Sequence, residues 1–183
     1  LTGAWAKKAA KEASFMGKST IVASSEDKNF NYIPKDYEIN ADLDYFHYTS
    51  NNTIFGTQVK QIPTTNTPIV CDMSSDIFSK KIDVSKFDLI YAGAQKNMSP
   101  AGTTLYIVKK DVLGASSVEI PTMLNLKTHT DKESMFNTPP VFSVFVINET
   151  LKWIEKIGGL EKIAEINRIK AEKLYHEIKR NNL

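Results

Sequence analysis

Three apolar runs of this chain end in side chains that can do chemistry. YFHYT (45–49) leads into Asn51-Asn52-Thr53, PIVC (68–71) into Asp72, and DLIYAGA (88–94) into Gln95-Lys96-Asn97. In open α/β sheets ligands bind beyond the carboxyl ends of the strands, so parallel neighbours would bring these groups to one crevice. One amine, one carboxylate and several hydroxyl or amide donors suit carbonyl chemistry. A lysine among small residues at a strand end can form a Schiff base when partial desolvation lowers its pKa.

An aspartate one strand away can keep a pyridinium nitrogen protonated, the arrangement that makes pyridoxal 5'-phosphate (PLP) an electron sink. Thr53 can hydrogen-bond that cofactor's phenolic oxygen, and Trp5 can stack on its ring. Each residue also has a plainer reading. Taken alone, Lys96 is a solvated loop lysine, Asp72 a strand-end or capping acid, Trp5 core packing, and Thr53 and Asn137 turn formers. Thr138 before Pro139 reads as a helix cap, a role compatible with phosphate binding.

Other site types lack their residues. His47, His129 and His176 are far apart and Cys71 stands alone, so no metal-ligand spacing appears and no metal is expected. No G-x-G-x-x-G, G-x-x-x-x-G-K-[ST] or G-x-S-x-G string occurs. With 23 basic against 21 acidic residues the net charge is +2, too mild to argue for nucleic acid or an anionic membrane. No run approaches the roughly 18 apolar residues of a spanning helix. A lone cysteine fits a reducing compartment, so a cytoplasmic protein is expected. Only Arg168 and Arg180 are arginines, and both lie at the end of the chain. The middle therefore has no fork-like anion grip.

Stepwise along the 183 residues, the elements that must position these groups follow from pattern. Residues 2–17 read as a helix, with Thr2 as cap and Gly17 as a left-handed stop. Residues 19–24 (STIVAS) read as a strand, and 25–42 as a surface loop. Strands are expected at 45–49, 68–73, 88–92 and 103–109. The short Ser99-Pro100-Ala101-Gly102 link makes the last of these antiparallel to its predecessor, because a parallel crossover needs about a dozen residues or more. A helix should follow Thr138-Pro139 and run to about residue 156 before Gly158-Gly159. A final helix carries Leu160, Ile163, Ile166, Ile169, Leu174 and Ile178 as one apolar stripe, with charges of alternating sign opposite. The expected class is α/β, three layers with helices on both faces of a mostly parallel, mixed sheet.

The strings TGAW (2–5), HYTSNNTIFGTQ (47–58), CDMSSDIFSKKIDVSKFDLIYAGAQKNMSPAG (71–102) and FNTPPVFSVFV (136–146) resemble the phosphoserine aminotransferases, aspartate-aminotransferase-like fold type I PLP enzymes. The resemblance covers most of the chain in compatible order and spacing. It implies transfer of an amino group from glutamate to 3-phosphohydroxypyruvate in serine biosynthesis, in a cytoplasmic homodimer. It implies that Lys96 carries PLP as a Schiff base and then shuttles the proton, and that Asp72 pairs with the pyridine nitrogen. Thr53 would meet the phenolic oxygen, Trp5 the ring and Gln95 the phosphate. Asn137 and Thr138 would reach the phosphate of the partner subunit's cofactor.

The chain departs from the family pattern in three places. Ser99 stands where the family has glycine, the glycine-rich phosphate cup has no counterpart, and the arginine-bearing C-terminal small domain is missing. The expectation is therefore a central portion, with 1–158 part of the PLP-binding large domain and 159–183 a helix leading towards the small domain. Fold analogy also admits another fold type I PLP enzyme, such as a different aminotransferase or a desulfurase, or a non-catalytic fragment of one.

Overall fold

The computed structural model describes residues 1–182. Its elements in chain order are α1 (Ala4–Met16), β1 (Phe46–Thr49), the short strands β2 (Asn51–Asn52) and β3 (Thr57–Gln58), β4 (Ile69–Asp72), β5 (Leu89–Gly93), β6 (Thr104–Val108), α2 (Leu126–Thr130), α3 (Val141–Lys156) and α4 (Gly159–Arg180). The main sheet has the order β1-β4-β5-β6. Its first three strands are parallel and β6 runs antiparallel to β5, as expected; the connection, residues 94–103, is shorter than the roughly one dozen residues a parallel crossover needs.

Alternation along the strands builds the core. Ile69 and Cys71 of β4 and Ile90 and Ala92 of β5 are buried, while their neighbours Val70, Asp72, Leu89, Tyr91 and Gly93 are only partly so. Successive strand residues face opposite sides, so one face is apolar and the other carries Asp72 and Tyr91. The apolar face packs on Met73, Ile77, Phe87, Ala94 and Met98, with Ile147 of α3 against it. Polar contacts tie the C-terminal helices to this layer. Ser143 Oγ donates to the Ala101 carbonyl at 3.0 Å, Thr150 Oγ1 to the Met98 carbonyl at 2.8 Å, and Asn167 Nδ2 to the Ser79 carbonyl at 3.4 Å.

Several local expectations are corrected. Residues 19–24 form no strand. β-Branched residues need a neighbour to pair with, and here the backbone contacts run to a single residue: Leu1 donates to the Ala23 carbonyl and accepts from the Ser25 amide. Thr2 does not cap α1, because its hydroxyl bonds the side chain of Asn52; Gly3 takes the cap position. Gly17 is extended rather than left-handed, with its N–H on the Ala13 carbonyl. Thr138 does not cap α3 either, and Pro140 is the cap residue. A residue before proline is pushed out of the helical region, so the Pro139-Pro140 pair delays the helix. Gly158 is left-handed and separates α3 from α4 as expected. On α4 the stripe packs only in its first half: Ile163 is buried, while Ile169 and Leu174 are exposed. Leu183, at the end of the expected 159–183 helix, lies outside the described residues.

Candidate active site

Parallel pairing places the ends of β1, β4 and β5 side by side. Thr49 is the register partner of Asp72, and Asp72 that of Tyr91. Beyond β5 the chain turns at once. The Met98 and Ser99 amides both bond the Ala94 carbonyl at 3.0 Å, and the Ala94 amide bonds the Thr103 carbonyl at 3.0 Å. Asn97 Nδ2 donates to the Ile77 carbonyl at 2.5 Å. This buttressed turn carries Gln95 and Lys96, both exposed. Ser99 sits in it without positive φ, so the residue that replaces the family's glycine fits the backbone path.

The turn directs Lys96 Nζ over the indole of Trp5, 5.4 Å from the ring centroid. Lys8 Nζ lies 4.6 Å from the same ring. Trp5 is 41% exposed, so it is a surface platform and not core packing. Its helix is held by Asn52, which is 1% exposed. Asn52 Nδ2 donates to Thr2 Oγ1 at 3.2 Å and to Thr57 Oγ1 at 3.3 Å. A side chain on Gly3 would come within 2.7 Å of Asn52 Oδ1, so the close approach of α1 to the β2–β3 hairpin requires glycine there.

Asp72 is half-buried at the end of β4. Its Oδ1 accepts from the Ser74 amide at 2.9 Å and the Ser74 hydroxyl at 2.7 Å; neither engages Oδ2. Behind it, His47 Nε2 lies 2.9 Å from the Tyr91 hydroxyl, with the rings stacked 5.9 Å apart. Burial holds the His47 imidazole below its ordinary pKa, against the opposing charge of Asp72. His47 is thus a packed histidine, as its strand position suggested. Burial also pushes the Cys71 thiol up to about 12, which makes it a core residue and not a nucleophile.

Thr53 is exposed in the turn between β2 and β3. Its hairpin is laced to the segment after β4. The Ser50 amide donates to the Asp72 carbonyl at 2.9 Å and the Ser50 hydroxyl to Asp76, Gln58 Nε2 donates to Asp76 at 3.2 Å, and Asn51 Nδ2 donates to Ser75 Oγ at 3.0 Å. Gln95 folds back over Gly93, where any side chain would meet its Oε1 at 2.7 Å. Asn137 and Thr138 are exposed before α3, with Asn137 Nδ2 on the Thr138 carbonyl at 3.4 Å. Their contacts are with each other and not with the Lys96 turn. Both arginines lie on exposed α4, paired with Glu172 and Glu177. Among the described residues no group of His, Cys, Asp and Glu is arranged to hold a metal.

Sequence reasoning missed Ser74 and the Ser50–Asp76–Gln58 lacing, and it placed Asn52 among the strand-end donors, where the structure makes it a buried tie between Thr2 and Thr57. The spacing Asp72-Met73-Ser74 is an Asx-turn signal that was available. The long-range contacts had no local signal.

The residues present fit a flat aromatic aldehyde with a ring nitrogen. An amine stands over an exposed indole, and a carboxylate on the neighbouring strand has one oxygen fixed and the other unengaged by its Ser74 partner.

Comparison with known proteins agrees with this geometry. The Aminotransferase class-V family profile matches residues 2–183. The chain is 59% identical over 182 residues to a phosphoserine aminotransferase of Flavobacterium johnsoniae, covering 100% of this chain and 51% of that protein. A solved phosphoserine aminotransferase, studied for radiation damage of its Schiff base, is 45% identical with a TM-score of 0.96, over 100% of this chain and 51% of that one. The PLP-bound phosphoserine aminotransferase of Trichomonas vaginalis is 33% identical with a TM-score of 0.92, over 98% of this chain and 52% of that one. The chain spans about half the length of the curated relatives it matches. With a mixed, mostly parallel sheet of fold type I and a family match along nearly all its residues, the chain belongs to the class-V aminotransferases.

Proposed function

We propose that this chain is the central part of a PLP-dependent phosphoserine aminotransferase, which moves the amino group of glutamate to 3-phosphohydroxypyruvate and yields 2-oxoglutarate and O-phosphoserine. The observation that carries the reading is Lys96 Nζ over Trp5, from the turn after β5, with Asp72 at the end of the paired parallel strand β4. The names of the relatives at 59% and 45% identity support the substrate pair.

When bound, PLP supplies an aldehyde that accepts the amino group and a ring that delocalises the electron pair left on the substrate Cα. Lys96 would hold the cofactor through Nζ, with the aldehyde oxygen leaving as water, and once freed by the substrate amine its Nζ would act as the general base that carries the Cα proton. Asp72 would keep a proton on the ring nitrogen through its charge. Trp5 would cover the ring, Thr53 would donate to the phenolic oxygen, and Gln95 would contact the phosphate. Asn137 and Thr138 would reach the phosphate held by a second copy, which makes a homodimer the proposed working form. Their exposure in a single chain, next to exposed Phe136, Val141 and Phe142, supports that reading.

The half-length match supports a longer enzyme, in which residues 1–158 belong to the cofactor domain and α4 leads towards a further domain. That remainder supplies the arginines for the substrate's anionic groups, because both arginines here pair with glutamates. Metabolic relatives and the lone buried thiol support a cytoplasmic place in serine and pyridoxine biosynthesis. The test is turnover by the full-length enzyme. Glutamate-dependent formation of O-phosphoserine is expected, and activity confined to other amino acceptors would overturn the substrate assignment.

A further inference from the structure

Ser74 Oγ joins two elements of the site. It accepts the Gly93 amide hydrogen at 3.1 Å and lies 2.7 Å from Asp72 Oδ1. An amide N–H can only donate, so the serine oxygen accepts from Gly93 and its single proton is free for the carboxylate. The direction of both bonds is therefore fixed. Gly93 is the last residue of β5, three positions before Lys96, and its Cα is covered by Gln95. Through one hydroxyl the Asp72 carboxylate is tied to the backbone that launches the lysine turn.

The chain contains its own comparison. Asp83-Val84-Ser85 repeats the local motif on the surface, with the Ser85 amide at 3.1 Å and the Ser85 hydroxyl at 2.6 Å from Asp83 Oδ1. Both Asp-x-Ser strings of the described residues make this turn. What distinguishes Ser74 is the third bond, from a residue 19 positions away on the next strand.

We propose that Ser74 is a positioning residue, which pins Asp72 Oδ1 to the start of the Lys96 turn and leaves Oδ2 as the oxygen directed at the cofactor's ring nitrogen. The proposal rests on the reading of Asp72 given above. A carboxylate with one oxygen held by an amide and a hydroxyl keeps its orientation when the lysine is released. A carboxylate held by the amide alone can rotate.

The experiment uses the full-length holoenzyme with Ser74→Ala, Ser74→Thr and, as a control, Ser85→Ala. Cofactor dissociation constant, pH midpoint of the cofactor's visible absorbance, and kcat and KM for glutamate are measured, together with reductive trapping of cofactor on the Lys96 peptide. Ser74→Ala should still trap cofactor on Lys96, but bind it about tenfold more weakly and lose about tenfold in kcat, as for a hydrogen bond to a charged group. Its absorbance midpoint should move while KM changes little. Ser74→Thr should restore all three values, and Ser85→Ala should match wild type. A Ser74→Ala enzyme with wild-type affinity, midpoint and kcat overturns the proposal, as does a folded Ser74→Thr that restores nothing. If Ser74→Ala does not fold, Ser74→Cys, a weak donor of similar size, replaces it, and wild-type values there count against the proposal. Wild-type enzyme that traps no cofactor on Lys96 sinks the underlying reading and this proposal with it, an outcome distinct from the others.

Discussion

Lys96 Nζ stands 5.4 Å from the centroid of the Trp5 indole, although 91 positions separate the two residues. One comes from the turn after a central strand and the other from the first turn of α1, and only the folded arrangement joins them. The ring presents a flat apolar face to the amine, the surface on which a planar cofactor would lie.

Removing that face should weaken cofactor binding. Trp5→Ala is expected to raise the PLP dissociation constant by about tenfold, the upper end for an aromatic pair. Trp5→Phe should recover part of it. Fluorescence or absorbance titration of the apo enzyme checks this, and unchanged affinity in Trp5→Ala would remove Trp5 from the site.

Asp72→Asn keeps the size and the Ser74 contacts but removes the charge proposed to keep the ring nitrogen protonated. Turnover should fall by about 100-fold, in the range for losing one preorganised electrostatic partner, while the covalent link to Lys96 persists. Steady-state kinetics beside reductive trapping separates the two effects.

His47 gives the fold a pH dependence. Burial lowers its folded pKa below the ordinary 6.5. The unfolded chain therefore binds the proton more readily. The stability from a neutral His47 is complete above about pH 6.5 and is lost as pH falls through that value towards the folded pKa, with a slope of at most about 1.4 kcal/mol per pH unit. Asp83, lowered by its Ser85 hydrogen bonds, and Asp88, where burial is outweighed by the Ile69 amide and Lys109, add their own loss only in the acid range below the carboxylate value of 3.8. Urea midpoints at pH 5.5 and 7.5 should differ more for wild type than for His47→Gln. Equal differences would show that His47 does not drive the loss.

The core should behave as its burial dictates. Ile90, 1% exposed between Cys71 and Ile107 in the register of the sheet, should cost about 2–5 kcal/mol when cut to alanine. Cys71, its thiol raised by burial, should react with a thiol reagent only in denaturant. Rapid labelling of the native protein would contradict the placement of β4 in the interior.

Much of this architecture was legible in the sequence because its signals are local. Short apolar runs marked β4, β5 and β6 nearly to the residue, and the short turn through 99–102 pointed to the antiparallel direction of β6. Residues placed after those runs came out at neighbouring strand ends, Asp72 and the Lys96 turn above all. Signals that depend on partners failed. STIVAS has strand composition and no neighbouring strand beside it, Thr2 gave its hydroxyl to Asn52 instead of the helix, and two successive prolines displaced the start expected at Thr138. The turn of Ser74 on Asp72 is local, but its bond from Gly93, on another strand, has no local signal.

The central claim is that Lys96 is the amine that binds the cofactor, and one measurement tests it directly. Full-length protein loaded with PLP is reduced with borohydride, digested, and mapped by mass. One modified peptide, holding Lys96, is expected, and its loss in Lys96→Ala. Modification of another lysine, or none in the loaded wild-type enzyme, would contradict it.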